Sequence, residues 1–128
     1  MTQKEIQSGN LLIAKFMGEG FAVDGMNPLW LHKHYQRKSI KFHSSFDWIM
    51  PVVVKIESGG NIRVKIEGYL CDIYQTKRNP KKKENGGFED ILLVSEKHND
   101  KNTLIWMAIV KYIKWYYGQN KKINSMKE

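Results

Sequence analysis

Residues 46–67, Phe46-Asp47-Trp48-Ile49-Met50-Pro51-Val52-Val53-Val54-Lys55-Ile56-Glu57-Ser58-Gly59-Gly60-Asn61-Ile62-Arg63-Val64-Lys65-Ile66-Glu67, change their hydrophobic period halfway along. Phe46, Ile49, Val53 and Ile56 recur at helical spacing, and Trp48 and Val52 widen the stripe. A helix is therefore expected to about Glu57, covered on more than one side. Ser44 and Ser45 offer its N-cap, and Asp47 adds negative charge to the first turn, where the helix dipole favours it. Pro51 lacks the amide hydrogen that an interior helical position needs, which implies a kink or a start later than the serines suggest. Ser58-Gly59-Gly60-Asn61 is a stop, after which Ile62, Val64 and Ile66 alternate with Arg63, Lys65 and Glu67. That alternation is the signature of a strand with one face on a core and one in water.

The same logic extends in both directions. Thr2-Gln3-Lys4-Glu5 has capping-box spacing, so a helix should start there. Ile6, Leu12, Ile13, Phe16 and Met17 share its inner side, Lys15 points outward, Gly9 weakens its middle and Gly18 can end it. From Glu19 to His43 the period is lost, with Gly20, Gly25 and Asn27-Pro28 as breakers and Leu29-Trp30-Leu31 as a short turn on the core. Beyond the first strand, Gly68 shifts the phase through a bulge or a tight turn, leaving Leu70 or Cys71 with Ile73 to continue inward. Thr76 to Gly87 reads as a solvated loop, and Phe88 to Ser95, with Ile91-Leu92-Leu93-Val94, as a buried partner strand. Asn99, Asp100 and Asn102 can cap a last helix that ends near Tyr117 and Gly118. Its apolar face is wide enough to leave only Lys111 and Lys114 clearly exposed, which marks it as the central packing helix.

These elements predict an α+β fold: three main helices packed on a small, mostly antiparallel sheet of two to three strands. The chain of 128 residues fits one domain, residues 1–118, followed by a flexible basic C-terminal tail, 119–128. Apolar residues make up 41% and charged residues 27%, a globular balance. No run approaches the roughly 18 apolar residues of a membrane span, and the polar start lacks a signal-peptide core. A cytoplasmic protein is expected, with no membrane partner. Cys71 is the single cysteine and, among Tyr69, Leu70 and Ile73, reads as a buried strand residue rather than a nucleophile.

Three blocks carry a likeness: Leu11-Leu12-Ile13-Ala14-Lys15-Phe16-Met17-Gly18, the helix Phe46 to Glu57, and Ala108-Ile109-Val110-Lys111-Tyr112-Ile113-Lys114-Trp115-Tyr116. In order and spacing the chain resembles small uncharacterised phage and prophage proteins of Bacteroidota, including those with the phage ABA sandwich domain. The resemblance implies helices sandwiched on a small sheet. It also implies a pool of short accessory genes that act in the host bacterial cell, many by occluding host machinery, with anti-CRISPR inhibitors the best-known class.

The formal net charge of +8 favours anionic partners, whether nucleic acid, an acidic protein or a phosphorylated ligand. Trp30, Tyr35 and Phe42 interleave with Lys33, Arg37, Lys38 and Lys41, so that cations could hold phosphates while rings stack on bases; the plain alternative is a loop anchored by its aromatics. Lys77-Arg78-Asn79-Pro80-Lys81-Lys82-Lys83 is a second basic cluster, suited to gripping a phosphate backbone or to solubilising a turn. Trp106, Trp115, Tyr116 and Tyr117, with Tyr112, exceed what one buried stripe requires, so Trp115 or Tyr117 should look outward towards a partner. His32, His34 and His43 have no acid beside them and are ringed by cations, which argues against a metal site. Nucleotide-binding, metalloprotease and serine-hydrolase motifs are absent, and a carboxylate pair of Asp72 and Glu89 would need a metal and a cleft. No catalytic residue, metal or cofactor is assigned.

The expected function is a non-enzymatic, phage-encoded counter-defence inhibitor of the anti-CRISPR kind. Its partner would be a host nucleic-acid-guided effector, such as a CRISPR Cas nuclease ribonucleoprotein, or the RNA or DNA bound to it. Few acidic residues are available to mimic nucleic acid in a basic guide channel, which favours contact with bound nucleic acid or an acidic protein face. The alternatives are a nucleic-acid-binding accessory protein for phage replication or packaging, and a sponge for a nucleotide signal in a pocket lined by Arg37, Lys41 and Trp30.

Overall fold

The computed structural model describes residues 2–18 and 41–126. Expectations that fall on residues 19–40, including the Leu29-Trp30-Leu31 turn, lie outside the described residues. Within them the order is α1 (Gln3–Gly18), α2 (Phe46–Glu57), β1 (Ile62–Glu67), β2 (Leu70–Arg78), a short 3-10 turn (Lys83–Asn85), β3 (Phe88–Lys97) and α3 (Lys101–Met126). The strands form an antiparallel meander β1-β2-β3, and the fold is α+β as the period change at residues 46–67 requires.

Local chemistry accounts for most boundaries. The Glu5 amide donates to Thr2 Oγ1 at 3.1 Å, making half of the capping box. Asp100 caps α3: its Oδ2 accepts from the Thr103 amide at 3.0 Å and its carbonyl from the Leu104 amide at 2.9 Å. α2 starts where the serines suggest, but by backbone bonds alone: Ser45 makes no side-chain cap, and its carbonyl accepts from the amides of Trp48 and Ile49. Pro51 neither delays nor ends the helix. Its ring is on the solvent side, while Ile49, Val52, Val53 and Ile56 are buried and hold the helix through the missing hydrogen bond. Phe46, expected inward, is 44% exposed.

Gly68 makes a tight turn, not a bulge: Glu67 pairs with Leu70, and Gly68 takes a φ of 58°, a conformation open to glycine at little cost. The register shift lies further on. Ile73 pairs with Val94 and Tyr74 with Leu92, so Leu93 is the extra residue of β3. The shift turns both Ile91 and Val94 towards the helices and Leu92 to the outer face, which explains why the run 91–94 does not alternate. β2 also runs on to Arg78, so Lys77 and Arg78 are strand residues and not part of a solvated loop. α3 likewise continues through Gly118 to Met126, so the helix occupies most of the segment expected to be a tail.

α3 lies across β2 and β3, α2 lies over β1 and beside α3, and α1 packs against α2 and α3. With the sheet on one side and α1 on another, α3 buries Leu104, Ile105, Trp106, Ala108, Ile109, Val110, Tyr112 and Ile113. Trp106, counted above among the surplus aromatics, is wholly a core residue. Its Nε1–H donates to Asn10 Oδ1 at 2.9 Å, and Asn10 Nδ2 donates to His43 Nδ1 at 2.9 Å. This relay ties α1, α3 and the turn ahead of α2 together. Glu96, buried on β3, is paired with Lys111 of α3. The sheet's outer face carries a polar network among exposed Leu70, Phe88 and Leu92: Asp90 accepts from Arg63 and Thr76, and Asp72 from Ser95 and Tyr74. No helix among the described residues is long and apolar enough to cross a membrane.

Candidate nucleic-acid interface

The β2–β3 hairpin concentrates positive charge. Strand alternation sends Lys77 to the helix side of the sheet, opposite Glu89, and Arg78 to the outer side, opposite Phe88. The connection is held by its own backbone. The Asn79 amide donates to the Gly87 carbonyl at 2.6 Å, the Lys82 amide to the Asn79 carbonyl at 3.0 Å, and the Gly87 amide to the Lys82 carbonyl at 3.1 Å. Asn79 Oδ1 also accepts from the Lys81 amide at 3.1 Å, and Gly86 and Gly87 take φ values of 64° and 85°. Lys82 is bound to Glu89 at 3.1 Å, and that lysine, with Asn79, holds the Glu89 carboxyl below the usual carboxylate range. Lys77, Arg78, Lys81 and Lys83 are exposed and stand in no salt bridge among the described residues. Four cations are thus spread over both faces of one ordered hairpin, a geometry suited to successive phosphates and not to a single small anion.

Beside the hairpin lies a cleft of about 400 Å³, lined by Phe16, Lys55, Ser58, Asn61, Gln75, Tyr112, Trp115, Tyr116 and Gln119 with the backbone of Gly59. Its aromatic wall is built by helical spacing on α3. Tyr112 lies 5.8 Å from Trp115 and 6.4 Å from Tyr116 between ring centroids, and Tyr116 meets Phe16 of α1 edge-on at 5.6 Å. Burial, reinforced by Tyr116, pushes the Tyr112 hydroxyl up to about 12. Lys55 of α2 reaches back to the Phe16 carbonyl near the C-terminal end of α1, with its Nζ 4.6 Å from the Phe16 ring centroid. Among the described residues no carboxylate lines the cleft.

Gln75 joins cleft and hairpin. It follows Cys71 and Ile73 on the helix side of β2, and Lys77 is the next residue on that side, about 7 Å further along the strand. No motif announces Gln75, Asn61 or Gln119. The available signal is a polar residue at the inward phase of Cys71, Ile73, Gln75.

The residues proposed from sequence divide into groups. Trp30, Lys33, Tyr35, Arg37 and Lys38 lie outside the described residues, as do His32 and His34. Lys41 is exposed but precedes Phe42, whose carbonyl accepts from Asn102 Nδ2 at 3.3 Å near the start of α3. Thirteen residues of helix separate Asn102 from Trp115, roughly 20 Å at helical rise. That exceeds the Debye length of about 8 Å in physiological salt, so Lys41 adds little to the field at the hairpin. Trp115 and Tyr117, expected to face outward, are both half-buried. Trp115 lines the cleft, while Tyr117 meets Tyr116 at 5.6 Å and has Lys15 Nζ 5.0 Å from its ring centroid. A helix packed on both a sheet and a second helix leaves no wide free stripe for them.

Asp72 and Glu89 are not brought together. They lie on opposite faces of the sheet, and Glu89 sits opposite Lys77, five residues along β2 from Asp72, roughly 17 Å at strand rise. His43 is engaged by Asn10, and among the described residues no three His, Cys, Asp or Glu side chains are grouped to hold a metal ion. Cys71 is fully buried, and burial, with Asp72 and Glu96 nearby, pushes its thiol up to about 11. Compared with family models, curated proteins and solved structures, the chain matches none.

Proposed function

We propose that this chain is a non-enzymatic, phage-encoded accessory protein of the counter-defence kind, acting in the host cell on a nucleic-acid-guided effector through the RNA or DNA that the effector holds. The observation that carries the reading is the ordered β2–β3 hairpin, on which Lys77, Arg78, Lys81 and Lys83 are exposed and stand in no salt bridge among the described residues. Such an array grips a phosphate backbone without reading its sequence. The likeness of the blocks at residues 11–18, 46–57 and 108–116 to phage proteins supports the biological setting.

Binding by counterion release makes a quantitative demand. Four phosphate contacts on a single strand give a log–log slope of affinity on salt near −3, from roughly −0.7 per contact. The test is fluorescence anisotropy with a short single-stranded RNA across a salt series, for the natural chain and for a variant with Lys77, Arg78, Lys81 and Lys83 changed to Gln. The natural slope should flatten towards zero in the variant. Affinity indifferent to salt and to the four substitutions overturns the reading. Affinity capture from a lysate containing a CRISPR ribonucleoprotein, with and without nuclease, then identifies the target: one effector retained with its protected nucleic acid supports counter-defence. Heterogeneous nucleic acid alone points instead to replication or packaging.

A further inference from the structure

We propose that the cleft between α1, α2 and α3 takes one unpaired nucleobase, while the adjoining hairpin holds the phosphates of the same strand. This inference deepens the proposed function and rests on its premise that the hairpin meets nucleic acid.

The cleft has the chemistry of a planar, uncharged, hydrogen-bonding ring. Its volume of about 400 Å³ suits a nucleotide-sized group, at the lower end of the roughly 300–1,000 Å³ common for ligand pockets. Trp115 and Tyr116, both half-buried, supply aromatic surface with Tyr112 packed behind them, and stacking on such rings tolerates any base because every base has a π-face. Gln75, Asn61 and Gln119 carry amides that both donate and accept, and Ser58 Oγ, which donates to the Lys55 carbonyl at 2.6 Å, keeps its lone pairs as acceptors, the mixture that base edges require.

Position makes the same point. Gln75 on the cleft wall and Lys77 on the hairpin are neighbours on one face of β2. Their separation of about 7 Å along the strand is close to the spacing of successive phosphates on an extended single strand. A strand that puts a base against Trp115 would therefore bring its next phosphates to Lys77 and on to Lys81 and Lys83. A duplex, whose bases stay stacked on one another, could use only the hairpin.

The experiment compares a short single-stranded RNA with a duplex of the same sequence. Trp115→Ala should weaken single-strand binding roughly tenfold, the loss expected of one stacked base, and leave duplex binding unchanged. Gln119→Ala, at the cleft rim, should weaken the single strand by a smaller factor with the fold intact. A third arm needs no substitution: single-stranded RNA carrying 4-thiouridine, photo-crosslinked to the natural chain, should form adducts at Trp115 or Tyr116. Crosslinks confined to residues 77–83, with both variants at natural affinity, overturn the cleft and leave the hairpin reading standing. 4-Thiouridine monophosphate, irradiated with the natural chain and competed with inorganic phosphate, separates a free nucleotide from a strand as the source of the base. If it labels Trp115 while no oligonucleotide binds, the cleft stands as a free-nucleotide site and the hairpin reading falls. Binding of neither nucleotide nor oligonucleotide overturns both.

Discussion

Replacing Gly9 by Ala separates local from tertiary control of this fold. Within an isolated helix the change is favourable by about 1 kcal/mol, because glycine loses the most backbone entropy on becoming helical. In the folded chain a Cβ at this position overlaps Trp106 Cζ2 and comes 2.7 Å from Cη2, whereas carbon atoms settle at about 3.5–4.0 Å. Trp106 cannot easily retreat: it is 4% exposed, and its Nε1 is held by Asn10 Oδ1 at 2.9 Å. Either α1 lifts from α3 or the indole moves and strains that bond. Overpacking costs about 1–3 kcal/mol and the weakened hydrogen bond about 1 more. Setting the helical gain of about 1 kcal/mol against these leaves a net loss of about 1–3 kcal/mol, or about 4–12 °C in Tm for a domain of this size. Urea titration and thermal melts followed by circular dichroism measure it. Gly118→Ala is the internal control, since that site on α3 is open with nothing within 4 Å of a Cβ, and it should gain about 0.5–1 kcal/mol. Trp106→Leu should remove most of the Gly9→Ala penalty in a double-mutant cycle. A Gly9→Ala protein as stable as the natural chain, or more stable, refutes the argument.

Three further outcomes follow from the same structure. Asn10→Leu leaves the Trp106 N–H and His43 Nδ1 without partners and should destabilise by about 2–4 kcal/mol in chemical denaturation; a loss below about 1 kcal/mol would mean that the relay contributes little. Lys111→Ala strands the buried Glu96 carboxylate and should cost more than Glu96→Gln, which removes the charge itself; equal stabilities would show the pair to be dispensable. Alkaline titration should weaken the fold, because the thiol of Cys71 rises from 9.0 to about 11 and the hydroxyl of Tyr112 from 10.0 to about 12. The unfolded chain releases these protons first, so stability is intact below about pH 9 and falls as pH rises towards 12. Cys71→Val should delay the onset to about pH 10, and an unchanged onset would count against the buried thiol as its cause.

Much of the architecture was legible because its causes are local. The Thr2 hydroxyl and Asp100 carboxylate meet amides three residues away, and the alternation of Ile62, Val64 and Ile66 follows from the strand pleat alone. The errors occur where distant partners intervene. Gly9 reads locally as a weakness in α1 and is instead the gap into which Trp106 fits. Pro51 reads as a kink or a delayed start, yet burial of Ile49, Val52, Val53 and Ile56 carries α2 through it from Phe46. Leu93 reads as one more strand residue, and only the pairing of Tyr74 with Leu92 makes it a bulge.

The candidate site divides in the same way. Charge is additive along a chain, so Lys77, Arg78, Lys81 and Lys83 could be named from sequence, and so could the aromatic richness of residues 106–117. The cleft depends on which residues of four elements and the turn before β1 converge: Phe16, Lys55, Asn61, Gln75 and Trp115 span a hundred positions of the chain and share no motif. By itself the sequence determined the helices, the strands, their inward faces and the sign of the surface, because hydrogen bonding, hydrophobic period and charge act over a few residues. Only the tertiary structure decided that Trp106 is core, that Trp115 lines a cleft, and that the cleft opens beside the basic hairpin, because those facts depend on packing between residues far apart in the chain.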